Sequence, residues 1–203
     1  MQPLTTLPGY KVNEYLLVLN PHEELRKKIM KVKEEFAESY QAISARWNPV
    51  QLAIASFTQY EMMEERIINR LNTVAMAQYP FKVELKDFGS FPSHTIYINV
   101  TSKVPMQRLV KEVRTEAQRL MKLNDDNKPH FILEPHLTIA RKLKPWQYEK
   151  GWLEYSTKHF TGRFIANSMM LLKRAVGETK YQVAGRFEFQ NLPVSTKQGE
   201  LFG

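Results

Sequence analysis

The feature that most constrains the fold is the alternation of short apolar segments with longer amphipathic segments along the chain. Leu25, Ile29, Val32 and Phe36 recur at helical spacing, whereas Phe81–Phe88 alternates apolar and charged residues as a half-exposed strand does. The pattern predicts strands at Glu14–Asn20, Val50–Phe57, Phe81–Phe88, His94–Val100, around His136, and at Phe164–Lys173 and Tyr181–Gln190. It predicts helices at Pro21–Tyr40, Glu61–Ala77, Pro105–Leu123 and Trp146–Ser156. Each half then contains strand, helix, strand, helix, strand, which favours two similar lobes facing each other across a groove that holds a ligand.

The length and composition are those of a folded protein. A chain of 203 residues with 43% hydrophobic and 11% aromatic residues can bury a substantial core. We expect residues 1–193 to form a single two-lobed domain and residues 194–203, which lack a core pattern, to form a disordered tail. The first residues lack the pattern of a signal peptide, and no apolar run approaches the roughly 20 residues of a membrane helix. The expected location is therefore cytoplasmic, with no membrane partner.

Charge and residue types limit the chemistry. The net charge of +8 favours an anionic partner such as RNA or a phosphate ester, although many basic proteins bind no nucleic acid. The absence of cysteine excludes disulfides, thiolate metal sites and cysteine nucleophiles. The sequence has no glycine-rich phosphate loop and no cluster with metal-ligand spacing, so we expect neither a metal requirement nor a cofactor.

One predicted strand, Pro135–Arg141, carries the residues best suited to chemistry. Strict alternation places His136, Thr138 and Ala140 on one face and the intervening Leu137 and Ile139 in the core. An imidazole that titrates near neutrality can move a proton, and a neighbouring hydroxyl can donate to a phosphoryl oxygen. Arg141 follows and adds a fixed positive charge. The alternative is a half-buried strand with a polar stripe and no catalytic role.

This His-Leu-Thr-Ile-Ala-Arg segment resembles the 2H phosphoesterase superfamily. The same resemblance is carried by the opening strand Tyr15–Pro21, the strands at Phe81–Phe88 and Thr95–Val100, and the closing Phe187–Phe189. The resemblance is to its 2′-5′ RNA ligase-like and cyclic phosphodiesterase-like branch and extends from about Tyr15 to Phe189. It implies an α+β fold with two pseudo-symmetric lobes of mostly antiparallel sheet, helices packed outside, and one His-x-Thr/Ser motif from each lobe at a central cleft. It also implies metal-free hydrolysis or transfer of phosphodiesters such as 2′,3′-cyclic phosphates.

The resemblance assigns catalytic roles to His136 and Thr138, and it exposes a difference at the first motif. Gln51 stands where the family has its first histidine and Ala53 where it has the hydroxyl, 85 residues before the second motif. Glutamine can hydrogen-bond a phosphate oxygen but cannot exchange a proton near neutral pH. His94 is a candidate replacement, although a histidine at a strand entry is more often a solvated edge residue. Arg141, Gln51 and His94 are the candidate substrate-binding residues.

The sequence therefore predicts a 2H-type phosphoesterase-like protein whose acid–base chemistry is weakened by the change in the first motif. Its expected ligand is an RNA 2′,3′-cyclic phosphate end or a small nucleotide phosphodiester. The alternatives are a catalytically inactive nucleotide- or RNA-binding module of the same fold, and an interaction scaffold that uses only its basic surface.

Overall fold

A computed structural model describes residues 9–192, which contain nine strands and five helices. The strands are β1 (Val12–Leu19), β2 (Leu52–Tyr60), β3 (Phe81–Phe91), β4 (Thr95–Val100), β5 (His130–Phe131), β6 (His136–Arg141), β7 (Thr161–Ala166), β8 (Ser168–Ala175) and β9 (Gln182–Glu188). The helices are α1 (Glu23–Ser39), α2 (Ser44–Trp47), α3 (Glu64–Ala77), α4 (Lys103–Met121) and α5 (Pro145–Tyr155). The predicted tail at 194–203 lies outside the described residues.

The strands form two sheets in which every neighbouring pair is antiparallel. The first, which we call sheet A, has the spatial order β5-β2-β1-β8-β9, and the second, sheet B, has the order β6-β4-β3-β7. Helices α3 and α4 pack against sheet A, whereas α1, α2 and α5 pack against sheet B. Each sheet buries its helix-covered face in an apolar core that includes Leu17, Ile54, Val83, Ile98 and Leu137. The α+β architecture with two antiparallel sheets is confirmed.

The two sheets do not correspond to the two halves of the chain. Helix α1 follows a strand of sheet A but packs on sheet B, and α4 follows a strand of sheet B but packs on sheet A. The last two strands return to sheet A, where β8 pairs with β1 and β9 pairs with β8. The repeated strand and helix order is thus interwoven, since each sheet takes strands from both halves of the sequence.

Several predicted boundaries differ from the structure. Strand β3 continues past its predicted end at Phe88 through Phe91, and the chain reverses at residues 92–94. The segment Phe164–Lys173, predicted as one strand, belongs to two: β7 lies in sheet B and β8 in sheet A, with Asn167 between them. Residue pattern alone does not reveal this change of sheet, because both parts are apolar and extended.

Among the helices at residues 9–192, none combines the length and the hydrophobicity that a membrane-spanning segment requires.

Candidate active site

The predicted site residues meet in a cleft of about 480 Å³ that both sheets line. His136, Thr138 and Arg141 of β6 contribute from sheet B. Gln51, immediately before β2, and Ala53 on β2 contribute from sheet A. The structure therefore brings the His136-x-Thr138 and Gln51-x-Ala53 segments to one cavity.

The two motif-bearing strands share the same irregularity. In β2, Ala55 pairs with Leu17 and Ala53 with Val18, so Ile54 has no partner on β1. In β6, Ala140 pairs with Ile96 and Thr138 with Tyr97, so Ile139 has no partner on β4. Both isoleucines are fully buried and lie 85 residues apart, the same separation as Gln51 and His136. Each strand therefore has a β-bulge at the equivalent residue.

These bulges correct the strict alternation predicted for β6. Ala140 does not share the cleft face with His136, because it is fully buried beside Ile139. The extra residue returns the next side chain, Arg141, to the cleft. The equivalent position in β2 is Ser56, which also lines the cleft. The wall that carries Ala53 thus has a hydroxyl three residues later.

His136 is held in one tautomer by the backbone. Its Nδ1 lies 3.0 Å from the carbonyl oxygen of Glu134. Because a carbonyl only accepts hydrogen bonds, Nδ1 carries the proton in the neutral ring. Nε2 of the neutral imidazole is then unprotonated and able to accept a proton.

Two aromatic rings support the imidazole. The rings of Phe91 and Tyr97 each have their centroid 4.9 Å from that of His136, and the Phe91 ring meets it edge-on. Gly89 permits this arrangement, since a Cβ there would lie 2.6 Å from both the Tyr97 ring and the Asn99 side chain. The ring of His136 is therefore oriented by packing as well as by its hydrogen bond.

Thr138 and Arg141 have donors available for an anion. The hydroxyl of Thr138 forms no hydrogen bond with another residue of 9–192, and within that range Arg141 forms no ion pair. Thr138 is half-buried and Arg141 exposed. A hydroxyl and a guanidinium beside a histidine make a site suited to phosphoryl oxygens.

His94 is not brought into this cleft. It lies in the exposed turn between β3 and β4, where its Nδ1 is 2.6 Å from the hydroxyl of Thr95. Thr95 pairs with Arg141, whereas His136 pairs with Asn99 four residues further along β4. At about 3.3 Å per residue, His94 and His136 are on the order of 15 Å apart along the strand. His94 therefore does not line the cleft and lies far from His136, although its neighbour Thr95 pairs with Arg141.

Sequence reasoning missed a second basic group in the cleft. Both Arg174 on β8 and Tyr181 line the cleft. The guanidinium of Arg174 lies 4.6 Å from the ring centroid of Tyr181 and 2.5 Å from the carboxylate of Glu14. Burial raises the pKa of Tyr181, which keeps its hydroxyl protonated. No local pattern identifies Arg174, because the pairing of β1 with β8 brings it to Glu14 from 160 residues away.

Sequence reasoning also missed Lys33, because the lysines of α1 are expected on its solvent-facing side. The fully buried Lys33 shares the apolar stripe of the helix with Leu25 and Ile29. Its Nζ donates to the carbonyl oxygens of Asn48, at 2.6 Å, and Thr138, at 3.2 Å. The sequence does carry a signal for this burial, since residues 25, 29 and 33 follow one another at intervals of four.

Among the described residues, no group of three or more His, Asp or Glu side chains is placed to hold a metal ion.

The fold and the cleft together define a class of protein with two antiparallel sheets that bring two related strand motifs to one cavity. The model of the 2′-5′ RNA ligase superfamily matches residues 20–178 of the sequence. The chain belongs to this superfamily, a family of 2H phosphoesterases. No curated protein matches the sequence.

Solved structures of low sequence identity share the fold. The structure of Escherichia coli LigT complexed with 3′-AMP has 16% identity and a TM-score of 0.60, and the match covers 88% of this chain and 98% of LigT. TT0787 of Thermus thermophilus has 16% identity and a TM-score of 0.64, with coverage of 87% and 98%. LigT complexed with NADP+ has 16% identity and a TM-score of 0.59, with coverage of 89% and 99%. At this identity the comparison establishes the fold.

Proposed function

We propose that the chain binds RNA 2′,3′-cyclic phosphate ends or small nucleotide phosphodiesters in this cleft and hydrolyses them slowly. The observation that carries the proposal is the grouping of His136, Thr138 and Arg141 at one cavity, with the Nδ1 of His136 held by a carbonyl. The structures of LigT with 3′-AMP and NADP+ support a nucleotide as the ligand. We further propose that the protein is cytoplasmic, where such ligands are available.

In this proposal His136 is the general base. Its Nε2 takes a proton from water as the water oxygen bonds to phosphorus, and the bond from phosphorus to one ribose oxygen breaks. The hydroxyl of Thr138 and the guanidinium of Arg141 donate to the phosphoryl oxygens and stabilise the charge that develops on them.

The opposite wall explains why the reaction is slow. Gln51 donates a hydrogen bond through its amide but has no proton to give to the leaving ribose oxygen, so solvent water protonates that oxygen. Loss of a general acid costs about 10²- to 10⁴-fold in rate. Ser56 offers a hydroxyl on this wall, which assists binding and not proton transfer.

A second candidate function is a nucleotide- or RNA-binding module without turnover. The observation that favours it is the change of both first-motif positions, to Gln51 and Ala53, while the cleft and its basic residues remain.

The two functions are separated by assaying the protein against 2′,3′-cyclic nucleotides and RNA with a cyclic phosphate end, with H136A alongside. Slow turnover that disappears in H136A supports the phosphoesterase. Binding without turnover in the wild type selects the module. Failure of both binding and turnover contradicts both functions and leaves the interaction scaffold.

A further inference from the structure

A buried ammonium group lies beneath the proposed site and links its two sides. Lys33 has no exposed surface, and its Nζ donates to the carbonyl oxygens of Asn48 and Thr138. Thr138 belongs to the His-x-Thr segment, and Asn48 precedes Gln51 by three residues. Both residues line the cleft. One side chain therefore connects the backbone segments that carry the two motif positions.

The position is electrostatically unfavourable for a cation. No carboxylate in the described part of the chain pairs with Lys33. The charged group that acts on its pKa is Arg141, which is also positive. Burial, with a smaller contribution from Arg141, lowers the pKa of Lys33 from 10.5 to about 8. Buried ammonium groups without an anionic partner are costly, and an apolar side chain of similar size is often as stable or more stable at such a position.

An anion bound in the cleft would supply the missing negative charge. A phosphate held by Thr138 and Arg141 would lie above the peptide group whose carbonyl accepts from Lys33. In a region screened poorly by water, attraction between this phosphate and the ammonium is stronger than between exposed charges.

We propose that Lys33 is a buried counter-charge for the phosphate bound in the cleft and a positioning residue that holds the segments of Asn48 and Thr138 together. The inference rests on the proposed phosphate-binding function and extends it to a residue that does not touch the ligand.

Ligand binding should be coupled to protonation of Lys33. A bound anion stabilises the charged form of Lys33 and raises its pKa, so binding is accompanied by proton uptake between the free and bound pKa values. The phosphate of 3′-AMP has its second ionisation near pH 6 and stays dianionic above pH 8. Uptake above pH 8 that is lost when the lysine is replaced therefore reports on Lys33.

The test is calorimetric titration of the full chain with 3′-AMP at pH 8.5, in two buffers of different ionisation enthalpy. We expect the wild type to take up on the order of half a proton per ligand. In K33M we expect no uptake and roughly five- to tenfold weaker binding, because the charge and both donors are lost. K31M removes a lysine exposed on the same helix and should behave as the wild type.

A second variant separates charge from positioning and remains informative if K33M does not fold. K33Q removes the charge but keeps a donor, so we expect it to lose proton uptake while retaining more affinity than K33M. Equal uptake in the wild type and either folded variant overturns the proposal, as does wild-type binding without uptake. Absence of any 3′-AMP binding by the wild type contradicts the proposed function itself, and the inference falls with it.

Discussion

The imidazole of His136 donates from Nδ1 to the backbone carbonyl of Glu134, only two residues earlier in the chain. The hydrogen bond is local, so the tautomer is set where the chain enters β6 and does not depend on the opposite sheet. This leaves Nε2 as the proton acceptor whatever residue stands at position 51. The relationship underlies the first two predictions.

The pH dependence of turnover should show one titrating limb. With His136 as the general base, kcat for a 2′,3′-cyclic nucleotide rises with pH as the ring loses its proton, and then reaches a plateau. Gln51 does not titrate and so adds no descending limb. The profile is measured at saturating substrate. A bell-shaped profile would contradict the assignment, and its persistence or loss in H94A would decide whether His94 is its source.

Restoring the first motif should raise turnover. The double variant Q51H/A53T places a second histidine and hydroxyl opposite His136, and we expect kcat to increase about 10²-fold or more and the pH profile to become a bell. A53T alone is the matched control, because it supplies the hydroxyl without a proton donor. Unchanged kcat in a folded double variant, measured beside A53T, would show that the two walls do not act on the same phosphate.

Arg141 should contribute to affinity through charge. In R141A we expect about tenfold weaker binding of 3′-AMP and a weaker dependence of affinity on salt concentration. K142A is the control, since Lys142 is the next residue and does not line the cleft. Equal losses in the two variants would mean that the general positive charge, and not the position of Arg141, attracts the ligand.

Lys33 should make stability depend on pH in a defined direction. Its folded-state pKa is about 8, below the 10.5 of the unfolded chain, so between these values the unfolded state binds more protons. The free energy of unfolding contributed by this group therefore increases as pH rises from about 8 to 10.5. Chemical denaturation of the wild type and K33M across this pH range gives the difference between their free energies of unfolding. The tyrosines titrate in both proteins, so their contribution cancels in this difference. A difference that stays constant with pH, or changes in the opposite direction, contradicts the buried-cation assignment.

Local pattern predicted much of the fold and one side of the candidate site. Apolar periodicity located the long helices and most strands, because each buries one continuous stripe or face. The alternation in Pro135–Arg141 correctly oriented His136 and Thr138. It failed at Ala140, since the bulge at Ile139 adds one residue and reverses the faces beyond it.

The missing parts of the site depend on contacts distant in sequence. Arg174 reaches the cleft through the pairing of β8 with β1, and Lys33 reaches Thr138 because α1 packs on the sheet opposite to the one it leaves. A prediction made one element at a time does not show which sheet each strand joins or which sheet each helix packs against. The i, i+4 spacing of Ile29 and Lys33 was the one local sign that a lysine faces the core.

The most direct test of the account is a crystal structure of the wild-type protein with 3′-AMP. We expect the phosphate within hydrogen-bonding distance of the Thr138 hydroxyl and the Arg141 guanidinium, with Nε2 of His136 facing it and Gln51 on the opposite side. A phosphate bound outside the cleft, with His136 and Thr138 free of ligand, would contradict it.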